Sequence, residues 1–143
     1  MRTKPFGMEI HALDNLIRRR AENIKSLQYV ESVTGTNGWI IGYIADHCDQ
    51  NIYQKDLEEK FSITRSTASK VIKRMEQKGL IERHSVPHDA RLKKLVLTER
   101  AKALHEEIIQ DVDEIERELL IGFSNEEKVL LFSFINRLKL NIK

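Results

Sequence analysis

Ile10, Leu13, Ile17, Ile24 and Leu27 recur at steps of three, four and seven. That spacing keeps them on one side of an α-helix and predicts a long amphipathic helix over 8–29. The cluster Thr34-Gly35-Thr36-Asn37-Gly38 reads as a turn. A second helix is predicted over 39–47, and Trp39, Ile40, Ile41, Tyr43 and Ile44 make it apolar on several sides, so it should be buried. Asp49-Gln50-Asn51 ends it. Leu57 and Phe61, four apart, give 54–61 one apolar stripe. Ser62-Ile63-Thr64 leaves room only for a tight interhelical turn, and Thr64 is a good N-cap because its hydroxyl can accept from a free amide of the next helix.

That next helix, 65–78, places Ala68, Val71, Ile72 and Met75 inward, and Gly79 supplies a left-handed stop. Two short helices joined by a three-residue turn make a helix-turn-helix. Leu80–His84 and Leu92–Leu97 are short β-type runs linked by Ser85–Arg91, which reads as a hairpin, or wing. Thr98 then caps a long helix carrying Leu104, Ile108, Val112, Ile115 and Leu119. Ser124 and Glu127 form a capping box before a last helix over 126–140. The expected fold is mainly α with a small β wing. It would be one domain over 1–143, with a winged helix-turn-helix lobe over 39–98 and dimerisation helices over 8–29 and 99–143.

Composition narrows the class. The chain has 143 residues and one cysteine, Cys48, which excludes an internal disulfide and fits a reducing cytosol. No apolar run approaches the roughly 20 residues that span a bilayer. The basic start over 1–7 lacks the apolar stretch of a secretory signal, so a cytoplasmic protein without membrane association is expected. The net charge is +2, yet residues 62–94 carry nine Lys/Arg against three acids. A basic middle between more acidic flanks points to one surface built for a polyanion, although a solvated helix face would explain clustering alone.

The chemistry of that segment sharpens the reading. A major groove admits one α-helix, and side chains on its exposed N-terminal face reach base edges. With the apolar set inward, Arg65, Ser66, Thr67, Ser69, Lys70, Lys73 and Arg74 lie near or on the open face. Arginine pairs bidentately with guanine, hydroxyls contact several bases, and lysine suits phosphate. At the hairpin tip, Arg91 with Lys93 and Lys94 behind it can reach an adjacent minor groove, where negative potential concentrates. Asp89, two residues away, is placed to hold Arg91.

The run Ile63-Thr-Arg-Ser-Thr-Ala-Ser-Lys-Val-Ile-Lys-Arg-Met-Glu-Gln-Lys-Gly-Leu-Ile-Glu-Arg83, then Asp89-Ala-Arg91, then Leu95-Val-Leu-Thr98-Glu99, resembles the MarR family of bacterial winged-helix regulators. The likeness covers roughly 39–104 in motif and the whole chain in helix order. It implies an obligate dimer joined by the N- and C-terminal helices of both chains. It also implies recognition helix 65–78 and wing arginine Arg91 with partner Asp89. Two positions depart from the family pattern. Tyr53 stands where a capping Thr is common; it cannot cap so closely, but its hydroxyl can touch a phosphate. Ala101 replaces a usual glycine and should only stiffen the long helix. Tyr53 and Gln54 are therefore expected among the DNA contacts.

The last helix supports dimerisation independently. Leu130, Leu131, Phe132, Phe134, Ile135 and Leu138 are too many apolar groups for one face of a lone terminal helix, and left exposed they form an unusually large patch. A two-fold dimer presents two recognition helices about 34 Å apart and predicts a pseudo-palindromic operator.

Other chemistry is weak. Cys48 lies between Asp46 and Asp49, whose charge disfavours a thiolate, so a plain thiol is expected rather than a redox sensor. His84 and His88 flank a strand end and Pro87, and His105-Glu106-Glu107 lacks the second histidine of a zincin, so no metal site is expected. No phosphate loop, nucleophile elbow or paired carboxylates point to catalysis or to a cofactor. The expected function is therefore a sequence-specific regulator, a repressor by preference. As the resemblance implies, it would be relieved by a small lipophilic or phenolic effector, with Trp39, Tyr43, Phe6 and Tyr29 as candidate crevice residues that equally suit a core. The alternatives are a protein-interaction module on the same fold and a non-specific architectural DNA binder.

Overall fold

The computed structural model describes residues 4–35 and 38–143; Thr36 and Asn37 of the expected turn lie outside them. In chain order the elements are α1 (Phe6–Ala21), α2 (Lys25–Thr34), α3 (Trp39–Asp46), α4 (Gln54–Phe61), α5 (Arg65–Gln77), β1 (Ile81–Val86), β2 (Asp89–Leu97), α6 (Glu99–Leu119) and α7 (Asn125–Ile142). The fold is mainly helical with one two-stranded antiparallel sheet.

The N-terminal helix expected over 8–29 is two helices. The chain leaves helical geometry at Ile24, whose ψ of 95° is extended. The two parts have different surroundings. No residue of α1 is buried, whereas Leu27, Val30 and Val33 of α2 join the core. Periodicity hides the break because Ile17, Ile24 and Leu27 stay in helical phase across it. Thus α2 belongs to the helix-turn-helix lobe, and of the two only α1 projects from it.

One core holds the lobe together. Ile40, Leu57, Ile72, Met75, Leu80 and Ile81 are at most 2% exposed and belong to a single cluster with α2 and α6. Burying each such side chain contributes about 1.5–3 kcal/mol. The ends of the helices are set by local hydrogen bonds. Thr64, Thr98 and Ser124 each accept from the amide three residues on. Gly35, Gly79 and Gly122 take positive φ at helix ends, where a Cβ would clash with the following carbonyl.

The long helix α6 runs from the wing to α1. At its far end Arg20 of α1 donates twice to Glu118, at 2.9 and 2.6 Å, and this hydrogen bonding holds the Glu118 carboxyl below its ordinary range. Nearer the lobe, burial pushes the Glu31 carboxyl up, opposed by Arg18 at 3.9 Å. The last helix, α7, has no buried residue. Among the described residues no helix is long and apolar enough to cross a membrane.

Candidate nucleic-acid interface

Helices α4 and α5 meet at Ser62, a non-glycine residue in left-handed geometry with φ 52°. The turn is stitched from both sides. Thr64 Oγ1 accepts the Thr67 amide at 3.1 Å and donates to Thr67 Oγ1 at 3.0 Å. Gln54 Nε2 reaches Glu58 at 3.2 Å and the Arg65 carbonyl at 3.4 Å. Gln54 therefore fixes the angle between the two helices as well as facing the groove. Tyr53 does not cap α4 with its side chain. Its amide instead donates to the Asp56 carboxylate at 2.8 Å, and the residue is half-buried.

The inward set Ala68, Val71, Ile72 and Met75 is buried as expected. At 100° per residue, the face opposite that stripe carries Ser66, Lys70 and Lys73, with Ser69 on its edge. All four are exposed and, among the described residues, have no side-chain hydrogen bond or ion pair. Two residues expected on this face are engaged elsewhere. Thr67 is half-buried and its hydroxyl is taken up in the cap. Arg74 stands nine positions from Arg65, about half a turn round the helix, and its guanidinium donates to the Ser32 carbonyl of α2 at 3.0 Å. It ties α5 to α2 from an exposed position.

The wing forms as a hairpin with Val86 opposite Asp89 and an irregularity after Ser85. Asp89 Oδ1 accepts the Arg91 amide at 2.9 Å and lies 3.5 Å from Arg91 Nε. This leaves the Arg91 side chain 93% exposed. Across the strands Lys93 Nζ donates to Ser85 Oγ at 2.7 Å, so its ammonium is held at the surface.

Between α4, the start of α5 and the wing runs an open groove of about 490 Å³, lined in part by Tyr53, Gln54, Arg65, Arg91 and Lys93. The fold thus gathers five expected residues into one cleft. It also adds two not singled out from sequence, Lys55 and Arg83. Strand pairing brings Arg83 there while Glu76 lies 3.5 Å from it. Local sequence gave no sign of this, because the groove wall comes from segments some 30 residues apart. Five cations line the cleft with Glu58, and with Glu76 beside Arg83 and Asp89 beside Arg91 also counted positive charge stays in excess, as a phosphate backbone requires.

The other candidate features do not converge. Tyr43 packs on His47 and Phe61, and Tyr29 is engaged by Arg100. Phe6 lies exposed on α1. Trp39 alone of the four aromatic candidates lines a cavity beside His105, of about 50 Å³. Cys48 is exposed. Among the described residues no group of three or more His, Cys, Asp or Glu is placed to hold a metal ion.

Known proteins are similar to this chain in sequence and fold. A family model described as "MarR family" matches residues 32–92. The uncharacterized HTH-type transcriptional regulator YybA of Bacillus subtilis (strain 168) is 25% identical over 128 residues, covering 90% of this chain and 85% of YybA. The transcription regulator MarR from Oenococcus oeni PSU-1 superposes with a TM-score of 0.79 at 29% identity, over 94% of this chain and 98% of that one. A putative MarR family transcriptional regulator from Listeria monocytogenes, solved with a 26mer DNA, superposes with a TM-score of 0.72 at 25% identity, over 98% and 90% of the two chains. Motif and helix order agree with these matches: residues 32–92 are those of the MarR family, and the fold is that of its winged-helix transcription regulators.

Proposed function

We propose that the chain works in the cytoplasm as a homodimeric, sequence-specific repressor. In this reading α5 enters the major groove of each half of a pseudo-palindromic operator, and each wing reaches the flanking minor groove. The observation that carries it is the series of exposed cations from the open face of α5, through the cleft lined by Arg65 and Arg83, to the exposed guanidinium of Arg91. Hydroxyls at Ser66 and Ser69 lie among the cations and suit base edges, whereas a purely architectural binder needs only the charges.

Dimerisation is supported by what the single chain leaves in water. On α1, Phe6, Ile10, Leu13 and Leu16 are 46–57% exposed. On α7, Leu130, Phe134, Ile135 and Leu138 are 38–51% exposed. Apolar surface on this scale marks an interface, and a two-fold axis through it presents both recognition helices to one side of a duplex. A lipophilic or phenolic effector would relieve binding only by preferring a separation of the two lobes that misfits the operator. The small cavity beside Trp39 would have to widen to admit one.

The test is selection of bound duplexes from a random pool at about 150 mM salt, where non-specific binding is weak. An inverted repeat with half-sites about one helical turn apart is the expected product, and a reporter carrying it should fall when the protein is expressed. Recovery of unbiased DNA would replace this reading with the architectural one.

A further inference from the structure

The recognition helix must be held at one angle to the dimer axis; Arg74 ties it to α2 within the lobe, but its junction with α6 lies at its C-terminal end. Its C-terminal end carries carbonyls with no partner inside the helix, and the residue that takes one of them comes from α6. Arg100 Nη1 donates to the Lys78 carbonyl at 2.6 Å. Its Nη2 donates to the Tyr29 hydroxyl of α2 at 2.8 Å, and its guanidinium lies 5.3 Å from the centroid of the Tyr29 ring. The neighbouring Thr98 hydroxyl donates to the Gly79 carbonyl at 2.6 Å, and the Thr98 amide to the Leu80 carbonyl at 3.1 Å. Three elements are therefore tied at one point: the exit of the recognition helix, α2 and the first turn of α6.

We propose that Arg100 is a positioning residue for operator binding, locking the carboxyl end of α5 to α6 so that the tilt of α6 sets the angle and separation at which the recognition helices meet DNA. The proposal rests on the dimeric reading above. The planar guanidinium suits the task because two of its three nitrogens can donate in divergent directions within one fixed plane. One takes the carbonyl of α5 while the other takes α2. The lever is long. The 21 residues of α6 span about 30 Å, so a tilt of about 5° moves its far end by roughly 2.5 Å. The lock also runs the other way: Arg100 helps to carry a change at the Arg20–Glu118 end of α6 to α5.

The experiment uses the full-length chain, wild type and Arg100→Met, on duplexes whose two half-sites are separated in steps of one base pair around the selected spacing. Arg100→Met should bind the preferred spacing about tenfold less tightly and neighbouring spacings with a smaller loss. The spacing preference then flattens while base preference within a half-site and the salt slope stay unchanged. An equally sharp spacing preference would overturn the proposal. So would a salt slope reduced by about 0.9 per protomer, which would make Arg100 a phosphate contact. A second readout needs no DNA: spin labels at Gln77→Cys and Asp113→Cys in a Cys48→Ser chain, diluted with unlabelled protein. Their distance distribution should broaden in Arg100→Met, and an unchanged distribution refutes the lock. If wild type selects no inverted repeat, the operator reading fails and the label distances still decide on Arg100. If Arg100→Met does not fold, Tyr29→Phe removes only one of the hydrogen bonds and must show the same changes in smaller degree. A wild-type profile from Tyr29→Phe then counts against the proposal.

Discussion

Replacing Arg91 by alanine removes a guanidinium that the wing holds out by Asp89 and leaves 93% exposed. Nothing in the lobe packs on it, so stability should be unchanged and the whole effect should fall on DNA. Each phosphate contact adds about 0.9 to the slope of log K against log salt, so a dimer that loses two should lose about 1.8 from that slope. Between about 50 and 200 mM salt the logarithm of concentration rises by about 0.6, and the deficit of the variant should shrink roughly twelvefold over that interval. Fluorescence anisotropy with the selected operator at four or five salt concentrations measures both lines. Parallel lines would mean that Arg91 touches no phosphate and would remove the wing from the proposed mechanism. A slope change of about 0.9 would mean that only one wing of the dimer engages.

Arg74→Ala is the counterpart: its guanidinium sits on the Ser32 carbonyl, so the salt slope should stay as in wild type while about 1 kcal/mol of stability is lost in denaturant titration. Met75→Ala empties a fully buried site in the same helix and should cost about 2–5 kcal/mol by the same measurement. Leu130→Asp with Phe134→Asp places charge on the exposed face of α7; sedimentation should then report monomer, with helical circular dichroism retained. Glu31→Gln tests a pH dependence. Burial raises the Glu31 carboxyl, so the folded state holds this proton more tightly than the unfolded one. The associated stability is fully present below the ordinary carboxylate range and is lost as pH rises through the raised value. The variant should therefore melt above wild type at neutral pH, and its advantage should vanish as pH falls toward the ordinary carboxylate range.

The elements of the lobe were legible because short-range chemistry specifies them. Thr64, Thr98 and Ser124 can each reach an amide three residues on, whatever the rest of the chain does. Ala68, Val71, Ile72 and Met75 lie on one side of any helix that contains them, and Gly79 stops that helix for reasons of its own backbone. The basic face of α5 and the Asp89–Arg91 pair follow from the same local geometry. Local chemistry also left errors of one kind, in which a favourable pattern extends past the point where packing changes. The break at Ile24 has no proline or glycine to announce it. It exists because α2 must lie against α5 and α6 while α1 projects from the lobe.

By itself, then, the sequence determined the helix-turn-helix, the wing, the caps and the sign of the charge between Ser62 and Lys94, since periodicity, turn propensity and ionisation act over a few residues. Only the tertiary structure decided which cations are free to meet a polyanion. Arg74 and Arg91 are the same side chain on the same basic stretch, yet one is held on the Ser32 carbonyl and the other stands in solvent. Lys55 and Arg83 enter the groove, and Arg100 closes on Lys78 and Tyr29, through contacts between segments far apart in the chain. The number of possible partners for a long, flexible cation is large, and folding alone selects among them by bringing particular unsatisfied carbonyls within reach.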